Sequence, residues 1–136
     1  MKGKIHFIDA NIFVNDLVLL DKERNKAARA LIQKIEDGSL LAVTDYLALS
    51  ETFYILESYK GRETALEMVK KLLTLETLEI IPMDHITFFE GLKRAKKYKL
   101  IINDLIHYTI ALLNNVAGIY SYDKDFDGLE IKRMEP

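Results

Sequence analysis

Four acids, Asp9, Glu51, Asp104 and Asp123, stand out because each interrupts apolar sequence. Asp9 ends the run Ile5-His6-Phe7-Ile8. Glu51 sits within Leu47-Ala48-Leu49-Ser50-Glu51-Thr52-Phe53-Tyr54-Ile55-Leu56. Asp104 follows Ile101-Ile102-Asn103, and Asp123 follows Gly118-Ile119-Tyr120-Ser121-Tyr122. Carboxylates gathered in one cleft raise one another's pKa, so a divalent cation is their natural stabiliser. Oxygen-only ligands favour Mg²⁺ or Mn²⁺ over Zn²⁺. Such a cation can turn a water into a nucleophile and stabilise the leaving oxygen of a phosphodiester. Each acid also has a purely structural reading. Asp9 or Asn11 can cap a helix, and Asp104 suits a helix dipole from the first turn. Glu51 can pair with a Lys or Arg or reach solvent at a helix rim.

The chain that must position these acids has 136 residues, room for one domain (1–136) with a real core. Hydrophobic residues make up 49% and charged residues 29%, an ordinary globular balance. There is no cysteine, which excludes disulfides, thiolate zinc sites and cysteine nucleophiles. The net charge of -2 does not announce a nucleic-acid partner, so such a partner would need a local basic patch. The densest candidate is Lys93-Arg94-Ala95-Lys96-Lys97-Tyr98-Lys99, read either as a solvated helix end or as a phosphate contact. No apolar run approaches a membrane span. The charged start Met1-Lys2-Gly3-Lys4 leads into an apolar run too short for a signal-peptide core. A cytoplasmic location is the default expectation.

Hydrophobic spacing predicts an alternation of strands and helices. A first strand ends at Asp9, and a short helix follows from Asn11 to Leu20. Residues 21–37 form an amphipathic helix with Ala27, Ala28, Leu31, Ile32 and Ile35 on one face, stopped by Gly38. Leu40 to Val43 reads as strand two, with Thr44 or Asp45 capping a helix from Tyr46 to about Tyr59. Lys60-Gly61 breaks the pattern. A helix over 62–75 then turns Ala65, Met68, Val69 and Leu72 inward. Leu78 to Pro82 is strand three. Asp84 caps a helix to about Tyr98, with Ile86, Phe89, Leu92 and Ala95 inside. Asn103 caps a helix to about Val116 that carries His107, read as a packing or hydrogen-bonding residue. Ala117 to Tyr122 is strand four, and Leu129 to Arg133 a short strand five. The expected product is an α/β fold, a mostly parallel sheet with helices on both faces. If strands one and four are neighbours at a topological switch point, Asp9 and Asp123 converge there.

Two other chemistries fit less well. Asp123-Lys124-Asp125-Phe126-Asp127-Gly128 opens like a calcium loop, but the twelfth position is Met134, where a bidentate Glu is required. An aspartyl-phosphate phosphatase of the haloacid dehalogenase type would need a second Asp where Asn11 stands. The four acids in order resemble a different family, the PIN-domain ribonucleases and especially the VapC-type toxins. Phe7-Ile8-Asp9-Ala10-Asn11-Ile12-Phe13 is similar to that family's opening strand and Asp-x-Asn. Glu51 on its apolar helix is similar to the second acid, and Asn103-Asp104-Leu105-Ile106-His107 to the third. Ser121-Tyr122-Asp123-Lys124-Asp125-Phe126 is similar to the closing Thr-x-Asp-x-Asp-Phe, with Ser121 in place of Thr.

The resemblance implies a three-layer α/β/α PIN-like fold with five strands in order 3-2-1-4-5. It implies Asp9, Glu51, Asp104 and Asp123 as catalytic and metal-binding acids and Asp125 as an auxiliary ligand. Asn11 and Ser121 would hydrogen-bond and orient those acids. It further implies Mg²⁺- or Mn²⁺-dependent RNA cleavage, a homodimer, and an inhibitory antitoxin as partner. A second reading on the same fold is a non-catalytic module that binds RNA or protein. The apolar helix surfaces around Phe13, Leu17, Leu20 and Phe53 could serve either a core or the groove for such a partner.

Overall fold

The computed structural model describes residues 4–136, so Met1 to Gly3 of the charged amino terminus lie outside the described residues. The chain alternates as the hydrophobic spacing predicts. Strand β1 (Ile5–Ile8) leads into helices α1 (Ala10–Leu17) and α2 (Lys22–Glu36). Strand β2 (Leu41–Asp45) leads into α3 (Tyr46–Lys60) and α4 (Arg62–Leu73). Strand β3 (Leu78–Ile81) is followed by α5 (His85–Arg94) and α6 (Ile102–Leu113). Strand β4 (Gly118–Tyr120), one 3-10 turn (Lys124–Phe126) and strand β5 (Arg133–Met134) complete the order. All strand pairs are parallel, and the sheet order is β3-β2-β1-β4-β5. This is the three-layer topology that the resemblance implies. The strand order reverses between β1 and β4, where Phe7 pairs Ile119 and Ile8 pairs Tyr120.

The period of two along the strands builds a core on each face of the sheet. Phe7 and Val43 point into one, with Leu105, Tyr108 and Ile110 of α6, Ile119 and Phe126. Their neighbours Ile8 and Ala42 point into the other, with Ile12, Phe13, Leu31, Ile35, Leu49 and Leu72. Aspartates start the helices. Asp21, Asp45 and Asp84 accept hydrogen bonds from the N–H groups of Arg24, Ala48 and Thr87. Gly38, at φ +83°, makes the turn out of α2 that a Cβ would strain.

Several elements depart from the hydrophobic spacing. Helix α5 was expected to bury Ile86, Phe89, Leu92 and Ala95. Instead Ile86 is 70% exposed and Phe89 55%, with Leu92 and Ala95 also exposed. Its buried side is Thr87 and Gly91. A Cβ on Gly91 would lie 3.5 Å from Ile106 Cγ1 and 3.7 Å from Thr109 Oγ1, so the small face allows a close approach to α6. That close approach overrides the apolar stripe, which turns outward. The helix also ends at Arg94, before the expected Tyr98. Helix α1 ends at Leu17, leaving Leu20 exposed. Phe13 is fully buried, and Leu17 and Phe53 pack against Val18, Leu56 and Ala65. Of the two uses open to this surface, core or partner groove, most of it serves the core. Helix α6 takes Ile101 rather than Asn103 as its cap residue, which frees the Asn103 side chain. Strand β5 is shifted toward the carboxyl end, to Arg133–Met134.

The buried Thr44 hydroxyl donates to the Ile8 carbonyl at 2.8 Å, tying β2 to β1 one residue before Asp9. Thr44→Val keeps the shape and removes the donor. It should cost about 1 kcal/mol of stability, read as a lower urea midpoint with an unchanged slope. An unchanged midpoint would show that this bond does not help to fix the end of β1.

Candidate metal centre

Asp9 leaves the carboxyl end of β1, where its N–H donates to the Tyr120 carbonyl of β4 at 3.0 Å. Its two oxygens divide the two readings of this residue between them. Oδ1 accepts the Ala10 N–H at 2.8 Å and caps α1. Oδ2 accepts the Ser121 hydroxyl at 2.7 Å and the Asn11 amide at 3.3 Å. The same Ser121 oxygen accepts from Asn11 Nδ2 at 3.2 Å and from the Asp123 N–H at 3.0 Å. Asn11 Oδ1 in turn accepts the Tyr122 N–H at 3.1 Å. Asn11 and Ser121 thus stitch the first strand end to the fourth. Asp123 Oδ1 accepts the Asp125 N–H at 2.9 Å and opens the 3-10 turn.

Glu51 approaches from α3, half-buried. Its partners are neither Lys nor Arg. Oε1 accepts the Asn103 amide at 3.2 Å and bonds His107 Nε2 at 3.0 Å. The other ring nitrogen, Nδ1, lies 2.6 Å from Asp45 Oδ2. Asp45 and His107 are both fully buried. Asp104 starts α6 and is 7% exposed.

The donor atoms form two adjacent groups, one of Asp9, Glu51 and His107 and one of Asp104, Asp123 and Asp125. Within each group the atoms lie within 4.8 Å of one another. The groups feel each other's charge. Burial, then Asp9, and then Asp123 and Glu51 push the Asp104 carboxyl up to about 7, against the pull of His107. Burial also raises Asp9, opposed by His107, Ser121 and the Ala10 N–H. Burial alone would lower His107. The hydrogen bonds to Asp45 and Glu51 and the charges of Asp45 and Asp9 outweigh it and raise the imidazole to about 10. The donors are carboxylate oxygens and one imidazole, with no sulfur, a set suited to a hard dication. A cation offsets the mutual repulsion that the raised Asp104 records.

All five acids read from the sequence as metal ligands fall in these two groups. His107 was read only as a packing or hydrogen-bonding residue, and Asp45 only as a cap. Their sequence signal was slight, a His one turn past Asp104 and an Asp at a strand end. The basic run has a different setting. Lys93 and Arg94 pair with Glu90 at 3.2 and 3.1 Å, and Lys97 with Glu130 at 2.9 Å. Arg94 and Lys97 line a cleft with Leu112 and Leu113, at the opposite end of α6 from Asp104. A cavity of about 420 Å³ on α3 is lined by Ser50, Glu51, Tyr54 and Ile55, and Glu51 is the one acid of the two groups that it touches.

A family model described as PIN domain matches residues 6–132. No curated protein matches the chain in sequence. Among solved structures, the fold is similar to Mycobacterium tuberculosis VapC20, described as a sarcin-ricin loop cleaving toxin. That match has 16% identity, covers 96% of this chain and 99% of the other, and has a TM-score of 0.77. It is similar to a chain of Rickettsia felis VapBC2 bound to a promoter DNA fragment, at 18% identity, 96% and 98% coverage and a TM-score of 0.68. It is also similar to a chain of a toxin-antitoxin complex from Klebsiella pneumoniae, at 19% identity, 92% coverage of each chain and a TM-score of 0.64.

The raised Asp104 carboxyl sets a pH dependence. An ordinary Asp ionises near 3.8, whereas folded Asp104 holds its proton to about 7. Between those values the folded state binds the extra proton, so metal-free stability should fall as pH rises from about 4 to 7. His107 acts in the same direction over a higher window, because its raised pKa stabilises the fold fully below about 6.5 and loses that effect as pH rises through about 10. In EDTA, Asp104→Asn should therefore raise stability at pH 7.5 by about 1–2 kcal/mol and change little at pH 4. Thermal melts at the two pH values check this. A large loss at pH 7.5 would instead assign Asp104 a helix-stabilising role.

Proposed function

The chain belongs to the PIN-domain family, and from that premise we propose that it is a Mg²⁺- or Mn²⁺-dependent endoribonuclease, the toxin of a toxin–antitoxin pair. One observation carries the reading. Acids from separate stretches of chain bring their oxygens within 4.8 Å of one another in two groups, Asp9 and Glu51 with His107, and Asp104 with Asp123 and Asp125. Asp9, Glu51, Asp104 and Asp123 would hold the dication, with Asp125 beside them. When bound, the ion supplies a nucleophile from water at neutral pH and charge stabilisation for the leaving oxygen of the phosphodiester.

The chain's own groups prepare the site for that chemistry. Ser121 and Asn11 fix Asp9 Oδ2, and Asn103 and His107 fix Glu51 Oε1. The buried imidazole of His107 keeps a positive charge beneath the carboxylates before any ion arrives.

The partners follow from the same reading. An RNA strand would enter past the half-buried Glu51 and the exposed Asp125. A second copy of the chain would cover the outward apolar stripe of α5, with Ile86 and Phe89 at its centre. An antitoxin is proposed because one similar fold comes from a toxin-antitoxin complex. No helix among the described residues is long and apolar enough to cross a membrane, in keeping with a cytoplasmic RNA target.

Asp9→Asn and Asp104→Asn should each lower RNA cleavage at saturating Mg²⁺ or Mn²⁺ by at least about 100-fold, with unchanged far-ultraviolet circular dichroism. Cleavage close to wild type in either folded variant would overturn the assignment. A wild-type chain that binds RNA but leaves it intact with every dication tried would favour the non-catalytic module.

A further inference from the structure

Glu51 enters the metal centre from a helix that faces it with only one carboxylate, yet that carboxylate does not swing freely. Asn103 Nδ2 and His107 Nε2 both bond to Oε1, at 3.2 and 3.0 Å. No hydrogen bond among the described residues engages Oε2. The imidazole that holds Oε1 is itself fixed from three sides. Nδ1 is 2.6 Å from Asp45 Oδ2, Nε2 is on Glu51, and the Phe7 ring lies 5.6 Å from the imidazole centre, tilted by 42°. Asp45 is fixed in turn, because its Oδ1 accepts the Ala48 N–H at 2.7 Å.

A histidine backed by a carboxylate also suits a metal ligand, and its Nε2 lies within 4.8 Å of donor atoms of Asp9 and Glu51. The hydrogen bonding separates the two roles. Both ring nitrogens are engaged by carboxylate oxygens, Nδ1 by Asp45 and Nε2 by Glu51, so while these bonds hold neither nitrogen is directed at an ion.

We propose that Asp45 and His107 form a clamp that ties off one oxygen of Glu51 and leaves the other for the metal, with His107 a positioning residue. The clamp rests on the reading of Glu51 as a metal ligand. It explains why an Asp at the end of β2, which would otherwise be only a helix cap, spends its second oxygen on a buried imidazole. It also links α3 to α6, so the acids carried by the two helices keep a fixed separation before the ion binds. Positioning of this kind lowers the reorganisation that accompanies metal binding.

Three substitutions of the full-length chain separate the donors. A Gln amide at position 107 reaches toward the place of Nε2, an Asn amide toward that of Nδ1, and Leu supplies neither. Mn²⁺ affinity is read by calorimetry, and kcat and KM for RNA are read at saturating Mn²⁺. His107→Gln should bind Mn²⁺ within about threefold of wild type, while His107→Asn and His107→Leu should bind about 10- to 100-fold more weakly. RNA KM at saturating Mn²⁺ should stay unchanged in all three. A merely structural core role would lower melting temperature without ordering the affinities in this way. If His107→Leu does not fold, the comparison of Gln with Asn decides. Equal Mn²⁺ affinity in folded Gln and Asn variants would overturn the clamp while leaving the nuclease reading intact, provided wild type binds Mn²⁺ and cleaves RNA. Pulsed electron paramagnetic resonance showing a directly bound imidazole nitrogen on Mn²⁺ would overturn it in favour of ligation. A wild-type chain that binds no dication would remove the nuclease reading and the clamp together.

Discussion

Mutual repulsion among closely held carboxylates is the constraint around which this chain is built. Asp9 and Asp104 are almost fully buried, Glu51 and Asp123 partly so, and burial together with the charges of the neighbouring acids raises the carboxyls of Asp104 and Asp9. Unpaired charge in such a setting destabilises a fold heavily. The chain offsets it with short, local contacts. A hydroxyl from Ser121, amides from Asn11 and Asn103, and backbone N–H groups at helix starts all point at the acids. One imidazole places positive charge at the bottom of the group. What remains unbalanced is a pocket whose charge a hard dication can complete.

The sheet makes the gathering possible. Its order reverses between β1 and β4, and the chain leaving both strands must turn on the same side. Asp9 and Asp123 therefore come together through topology, each just past the end of one of two directly paired strands. Helices α3 and α6 add Glu51 and Asp104 near their starts. The alternation of Phe7 with Ile8, and of Val43 with Ala42, anchors a core on each face, so neither strand end can drift.

Much of this was legible in the chain itself. An acid that stops an apolar run marks a strand end, and an acid within an apolar helix needs a partner. Asp9, Glu51, Asp104 and Asp123 were visible on those grounds, and their order suggested the topology through resemblance to a family. The inaccessible parts share one cause, a dependence on neighbours far along the chain. Helix α5 carries a clean apolar stripe at Ile86, Phe89 and Leu92, yet it packs through Thr87 and Gly91 because α6 comes close there. Asn103 looked like a helix cap, and only the position of α3 reveals its bond to Glu51. Asp45 and His107 lie 62 residues apart, and nothing at either position announces the other.

The central claim is that these acids hold a divalent cation. Crystals grown in saturating Mn²⁺ and measured for anomalous scattering test it most directly. The account expects a Mn²⁺ peak within bonding distance of oxygens from Asp9 and from Asp104 or Asp123. Well-ordered crystals with Mn²⁺ bound elsewhere, and no peak among these carboxylates, would contradict it.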